Sequence, residues 1–249
     1  MTILDVEGVS NVRDVGGIPT AGGRIRAGVL LRSGQLAGAT PTGVALLRTS
    51  VQHIVDLRDG EEVAAEPTEI DGLRTTHLPL FLGSVRSFFE ADTSLDELYL
   101  HLLEESGERL VDAIRIIAAG ERTLVHCTVG KDRTGVTVAL SLSAVGADRE
   151  AVIADYALTE SQLPARRTQW ITQYLRTHHP DAVHAIALAT LSPAPVMRRL
   201  LEQVDERWGS AAEYLREKGM TAAELAALTA ALVEPTSSSA RVPRSTDQG

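Results

Sequence analysis

The residues best placed to do chemistry lie in one run, Thr123-Leu124-Val125-His126-Cys127-Thr128-Val129-Gly130-Lys131-Asp132-Arg133-Thr134-Gly135, which carries the chain's only cysteine. Thr123 to Val125 suits a short buried strand, and from Thr134 onward Val136, Val138, Ala139, Leu140 and Leu142 suit a buried helix. Cys127 to Arg133 is therefore a strand-to-helix turn. Such a turn gathers the main-chain N–H groups of Thr128, Val129, Gly130, Lys131, Asp132 and Arg133, with the positive end of a helix dipole, around one volume fit for a phosphate dianion. Arg133 can grip two phosphate oxygens at once and stays charged at any working pH. The same field draws the proton from sulfur, so Cys127 is expected to be substantially thiolate at neutral pH and nucleophilic toward phosphorus. An inert core thiol beside a helix-end arginine is the plain alternative. It leaves the spacing of Gly130, Arg133, Thr134 and Gly135 unaccounted for.

His-Cys, five residues, then Arg-Thr-Gly resembles the signature loop of the cysteine-dependent protein tyrosine phosphatases. The resemblance implies a two-step reaction: Cys127 attacks phosphorus to give a phosphocysteine, an acid protonates the leaving oxygen, and water releases phosphate. It further implies that Thr134 bonds the departing thiolate and that His126 holds the loop without moving protons. It implies no cofactor and no metal. Four other segments are similar to bacterial phosphatases of the mycobacterial tyrosine phosphatase B type: Asn11-Val12-Arg13-Asp14-Val15-Gly16-Gly17, Leu31-Arg32-Ser33-Gly34, Val55-Asp56-Leu57-Arg58 and Asp155-Tyr156-Ala157-Leu158. From the residues alone, the first of these is a polar turn with an Arg13–Asp14 pair. The resemblance runs by separate motifs from Asn11 to about Glu160 and loosely from there to Val233.

The elements that must position the loop alternate between strand and helix, which predicts an α/β fold with a central, mostly parallel sheet flanked by helices. The resemblance makes this a cysteine-phosphatase-like fold. Arg24 to Arg26 and Val29 to Arg32 read as a hairpin around Ala27-Gly28. Thr40-Pro41 opens a short helix through Leu47, and Gln52 to Arg58 reads as a buried parallel strand ending in charge. Leu73 to Leu80 is a further strand broken by Pro79. Phe81 to Thr93, holding all three phenylalanines, reads as irregular, and Asp92 lies on it as an unsupported candidate acid. Helices are predicted over Leu95 to Leu103, Arg109 to Ala119, Arg149 to Thr159, Pro164 to Thr177 and Asp181 to Leu191. Further ones run from Ser192-Pro193 to near Trp208 and after the capping-box patterns Ser210/Glu213 and Thr221/Glu224. Residues 1–233 are expected to form a single domain. Within it, 161–191 is a helical insertion that either packs or acts as a lid over the site. Residues 234–249, rich in Ser, Pro and Thr, are expected to be a disordered tail. His178-His179 reads as a surface turn, since no ligand spacing joins it.

Two aspartates compete for the proton-donor role. Asp56 would reach in from the strand beside the loop, although it can equally be a turn cap paired with Arg58. Asp132 sits directly before the loop arginine, where the lipid-directed myotubularin phosphatases carry their acid. A carboxylate beside a permanent cation donates poorly, and the bacterial resemblance points to Asp56, which is slightly favoured. Lys131 adds charge within the loop beyond one phosphate, as in phosphoinositide phosphatases with a Gly-Lys pair there, or else it steers anions or faces solvent. The expected substrate is phosphotyrosine on protein, with phosphoserine, phosphothreonine and phosphoinositides as further classes. Alternatives are a phosphoinositide phosphatase proper, a non-catalytic phosphate-binding module, and a sulfur-transfer domain, whose loop lacks the Arg-Thr-Gly ending.

The whole chain allows this reading. Its 249 residues are 44% hydrophobic and 23% charged with a mean hydropathy of +0.01, ordinary for a soluble enzyme. A net charge of −9 and 4% aromatics argue against a nucleic-acid partner, including an RNA 5′-phosphate. A lone cysteine rules out an internal disulfide. No leader pattern or membrane-spanning run is evident, so a cytoplasmic location is expected; export without a cleavable leader would leave no trace here. Oligomeric state is not legible.

Overall fold

The computed structural model describes residues 1–80 and 91–236. Its centre is a six-stranded sheet in the order β1 (Thr2–Ile3), β2 (Arg13–Asp14), β5 (Leu30–Ser33), β8 (Thr123–His126), β6 (His53–Asp56), β7 (Arg74–His77). The four strands from β5 to β7 run parallel, and β1 and β2 are antiparallel additions at one edge. In β8 all four residues are buried, as expected of the middle strand of a parallel sheet covered on both faces. The register lines up Leu31, Leu124 and Ile54 across three strands, and Ser33, His126 and Asp56 at their carboxyl ends.

Side chains alternate faces along each strand, so the sheet divides the core in two. Leu30, Val125 and Val55 point to the larger cluster, while Leu31, Leu124 and Ile54 point to a smaller one with Leu47. Leu47 belongs to α1 (Pro41–Ser50), which opens on Thr40 with proline in its first turn, as the sequence predicts. On the larger side lie α3 (Leu95–Glu105), α4 (Gly107–Ala118), α5 (Asp132–Ala144) and α6 (Arg149–Gln162). In α4 the buried Leu110, Val111, Ile114 and Ile117 recur at helical spacing and make one apolar stripe. In α5 every residue from Arg133 to Leu142 is buried, so this helix is enclosed on all sides.

Past α6 come α7 (Ala165–His178) and α8 (Ala185–Thr190), joined by their own small apolar cluster of Leu175, Ala185 and Ala189. The sequence places the second of these too early, because His179 to His184 form turns before α8 begins. Then α9 (Ala194–Trp208), α10 (Ala211–Glu217) and α11 (Ala222–Leu232) close the larger core. Thr221 with Glu224 makes the full capping box, whereas Ser210 only accepts the Glu213 amide.

Two expectations need correction. Arg24–Arg26 and Val29–Arg32 do not pair as a hairpin. Instead β4 (Gly23–Ile25) pairs with β3 (Pro19–Thr20) and β9 (Val233–Pro235) in a separate three-stranded sheet, while β5 enters the main sheet. The fully buried Leu-Leu-Arg-Ser segment belongs beside β8, and Asp14 ties the two sheets by accepting the amides of Gly16 and Gly28. For the same reason Glu234 and Pro235 are not tail: both pair with β4. Phe81, Phe88 and Phe89, and the remainder of the expected tail beyond Thr236, lie outside the described residues. Among the described residues no helix is long and apolar enough to cross a membrane.

Candidate active site

The turn from Cys127 to Arg133 leaves β8 at the carboxyl edge of the parallel strands and enters α5, the place where α/β sheets bind ligands. Cys127 is 3% exposed, and its Sγ accepts a hydrogen bond from the Gly130 amide at 3.3 Å. Gly130 has φ +70, and a Cβ there would run into the Ser33 carbonyl, so only glycine lets the loop fold back over β5. Thr134 Oγ1 is buried without a hydrogen-bond partner among the described residues. His126 lies wholly inside, with Nδ1 3.3 Å from the Cys127 carbonyl. Burial pushes its imidazole down to about 4 although Asp56 pulls the other way, so it stays neutral.

Behind the loop stands a buried polar frame. Asn11 Nδ2 donates to the carbonyls of Gly130 at 3.0 Å and Val129 at 3.3 Å, and Arg32 donates to the same Gly130 carbonyl at 2.8 Å. Asp155 binds Arg13 Nε at 2.7 Å and an Arg32 nitrogen at 2.6 Å. Arg13 therefore pairs with Asp155 and not with Asp14, as its sequence neighbourhood suggests, because Asp14 is taken by main-chain amides. Burial alone would raise the Asp155 carboxyl, but the two guanidiniums outweigh it and hold the group below its usual range. Burial and the nearby Arg32 pull Arg13 down to about 10 against the opposing charge of Asp155.

Arg133 meets a carboxylate the sequence did not single out. Two of its guanidinium nitrogens bond the two oxygens of Glu62 at 2.6 and 2.8 Å, and Thr128 Oγ1 donates to the same carboxylate. Glu62 belongs to α2 (Gly60–Ala65), the short helix after β6, where it closes a capping box with Asp59. That Asp-x-x-Glu pattern directly after a charged strand end was the available signal. Burial works to raise Glu62, but Arg133 overrides it and brings the carboxyl to about 2. Glu62 thus fixes the plane of the Arg133 guanidinium while fully charged.

Asp56 and Asp132 are differently placed. Asp56 has both oxygens engaged by the Arg58 guanidinium, at 3.0 and 2.7 Å, and Oδ1 also accepts the Arg58 amide at 3.0 Å. Burial would raise it; the Arg58 bonds prevail and lower it below its usual range. Asp132, at the first turn of α5 and one-fifth exposed, accepts from Tyr99 Oη at 2.8 Å and lies 3.1 Å from Lys131 Nζ. Tyr99 in turn meets Tyr156 Oη at 2.6 Å, and burial, with Asp132 beside it, keeps the Tyr99 phenol protonated. Lys131 is fully buried and its ammonium also donates to the carbonyls of Leu188 at 2.7 Å and Leu191 at 2.8 Å, joining the loop to the end of α8. Asp92 serves α8 from the other end, accepting the amides of Val183 and His184. Beside the loop a cleft of about 570 Å³ is lined by Ser10, Gln35, Thr128, Val129, Pro164 and Arg167. Arg167, half-buried on α7, is pulled below its usual value by burial and held up by the charges of Asp132 and Cys127.

A cysteine sulfur and a guanidinium gathered at one strand-to-helix turn are an arrangement that a phosphomonoesterase could use. Comparison with known proteins agrees. A family model described as the tyrosine phosphatase family matches residues 4–234. The triple specificity protein phosphatase PtpB of Mycobacterium tuberculosis is 29% identical, with 90% of this chain and 96% of that protein aligned. A putative tyrosine-protein phosphatase of Cupriavidus necator is 30% identical over 86% of this chain and 83% of its own length. Among solved structures, TpbA of P. aeruginosa is a distant likeness, with 19% identity, 73% of this chain and 91% of that one covered, and a TM-score of 0.36. The chain belongs to the tyrosine phosphatase family and is a cysteine-dependent phosphatase, acting on phosphorylated substrate.

Proposed function

We propose that the chain hydrolyses protein phosphomonoesters, phosphotyrosine first, with Cys127 as nucleophile, Arg133 and the amides of Thr128 to Arg133 as the phosphate cradle, and Asp132 as proton donor. The Cys127 thiolate attacks phosphorus as the ester P–O bond breaks. Protonated Asp132 gives its proton to the leaving oxygen, and the Asp132 carboxylate then takes a proton from the water that cleaves the S–P bond. Thr134 donates to the sulfur as it leaves, His126 stays neutral and holds the Cys127 carbonyl, and no cofactor or metal enters these steps.

The observation that carries the acid assignment is the state of the two aspartates. Both oxygens of Asp56 are occupied by Arg58, so it has no proton to give without breaking an ion pair. Asp132 stands at the start of α5, partly open, and its contacts to Tyr99 and Lys131 among the described residues both fall on Oδ1. An arriving phosphate dianion raises a neighbouring carboxyl into the range where it can act as an acid. Asp132→Asn should therefore slow alkyl and weakly acidic aryl phosphates at least about a hundredfold while sparing substrates with good leaving groups. Asp56→Asn should lower stability and slow all substrates alike. If Asp56→Asn alone shows the leaving-group dependence, the roles are reversed.

A second substrate class, phosphoinositides, is favoured by a cation in the cleft beside the loop. Arg167 lines the cleft beside the loop as a cation besides Arg133, while the Lys131 ammonium is buried against Asp132 and two carbonyls, and the M. tuberculosis relative is named for triple specificity. We also read α7 and α8 as a lid, since Lys131 connects the loop to the end of α8. Turnover of phosphotyrosine peptide, phosphoserine peptide and short-chain phosphoinositides in one panel tests the range.

A further inference from the structure

Helix α7 has two unlike sides. Its inner side packs Leu175 against α8, and near its start Pro164 and Arg167 line the cleft beside Thr128 and Val129. Its outer side carries Arg166, Trp170, Tyr174 and His178 at successive steps of four, all exposed, with Trp170 64% and Tyr174 40% open to water. The rings stack along the helix, Trp170 on Tyr174 at 5.5 Å and Tyr174 on His178 at 4.2 Å. Just beyond, Val183 is 79% exposed. Stacked rings with polar tips, left open to water by the described residues, ask for a surface that is apolar below and polar above.

The charge of this segment is as unusual as its rings. Residues 164–180 contain three arginines and no carboxylate, in a chain whose net charge is −9. Arg166 and Arg176 form no salt bridge with a described residue. A helix with arginines flanking exposed Trp and Tyr has the composition of one that lies in a membrane interface, where rings enter the headgroup layer and arginines meet lipid phosphate. The acidic remainder of the molecule is repelled by the same surface, which fixes the orientation.

We propose that the outer side of α7 docks on an anionic lipid surface and sets the mouth of the cleft beside the headgroups of that leaflet. The inference deepens the phosphoinositide reading: a substrate held in a bilayer reaches Cys127 only if the enzyme is held there too. One helix side is narrow for a protein partner, which needs about 800 Å² from each side for a stable complex.

Trp170 and Trp208 are the only tryptophans, and Trp208 is engaged with Glu217 and Arg207 on α9. In the full chain with Trp208→Phe, Trp170 reports directly on its surroundings. With vesicles of phosphatidylcholine plus phosphatidylserine, free of phosphoinositide, Trp170 fluorescence should shift to the blue and the protein should co-sediment; with phosphatidylcholine alone it should do neither. The variant Arg166→Glu, Trp170→Ala, Tyr174→Ala, Arg176→Glu should bind the anionic vesicles at least about tenfold more weakly. Its kcat on a soluble aryl phosphate should be unchanged, which also shows that it folds. Absence of binding to anionic vesicles, undiminished binding by the variant, or self-association of the parent that the variant abolishes would each overturn the proposal. Vesicle binding without turnover of any phosphoinositide would leave docking in place and remove the substrate reading instead.

Discussion

Single residues in this site divide by whether their partners are contiguous in sequence. Cys127, Gly130, Arg133 and Thr134 could be singled out together because they fall within eight consecutive positions, which fix them relative to one another. Glu62 was not, since it meets Arg133 across 71 residues of chain. Replacing it with glutamine removes a charge-assisted, two-point hold on the guanidinium, worth about 1.5–3 kcal/mol. Glu62→Gln should accordingly lower kcat/KM for phosphate esters roughly ten- to hundredfold and weaken inhibition by inorganic phosphate. Undiminished phosphate binding would show that Arg133 needs no such hold. His126 gives a pH dependence of stability. Its imidazole is depressed to about 4 from 6.5 in the folded protein, so between those values the unfolded chain takes up a proton that the native one refuses. Stability should fall as pH drops through that window, by an amount on the order of 3 kcal/mol. Urea titrations of the wild type and His126→Asn measure this: the variant should have the flatter profile.

At the scale of elements, the strand–turn–helix around the loop was read correctly from apolar periodicity, and the helix caps at Thr40, Asp148 and Thr221 follow from side-chain chemistry within four residues. What stayed hidden is why β2, β5 and α6 carry charged residues inside. Arg13, Arg32 and Asp155 lie up to 142 positions apart and meet only once the sheet has formed. Arg32 then joins Asn11 in holding the Gly130 carbonyl of the loop, and Asp155 holds Arg32 and Arg13. The hairpin reading of residues 24–32 failed for the matching reason: local turn signals cannot say which of two sheets a strand will join. Asp155→Asn leaves two buried guanidiniums short of their counter-charge and should destabilise the protein by about 3–5 kcal/mol, measured by chemical denaturation. Asp155→Glu, which keeps the charge, should recover part of that loss; equal stability of all three proteins would mean the frame is not what holds the loop.

Across the whole molecule, the parallel strands deliver the loop to one edge of the sheet, α2 brings the carboxylate that aligns Arg133, and α7 with α8 bring Arg167 and the carbonyls that hold Lys131 to the same edge. The chain's last described strand, β9, returns to pair with β4, so that α11 is fastened across the larger core. The α/β class was legible because strands and helices alternate with different periods. The order of strands and the antiparallel edge were not, being decided by burial between distant segments. In the proposed reaction all of this serves one step, transfer of a phosphoryl group to sulfur. Rapid acid quench of the enzyme with a labelled aryl phosphate measures that step most directly. Label should appear on Cys127 within the first turnover, persist longer in Asp132→Asn with a good leaving group, and be absent from Cys127→Ser, which should release no phosphate. Phosphate release by Cys127→Ser, or turnover without label on Cys127, would contradict the mechanism.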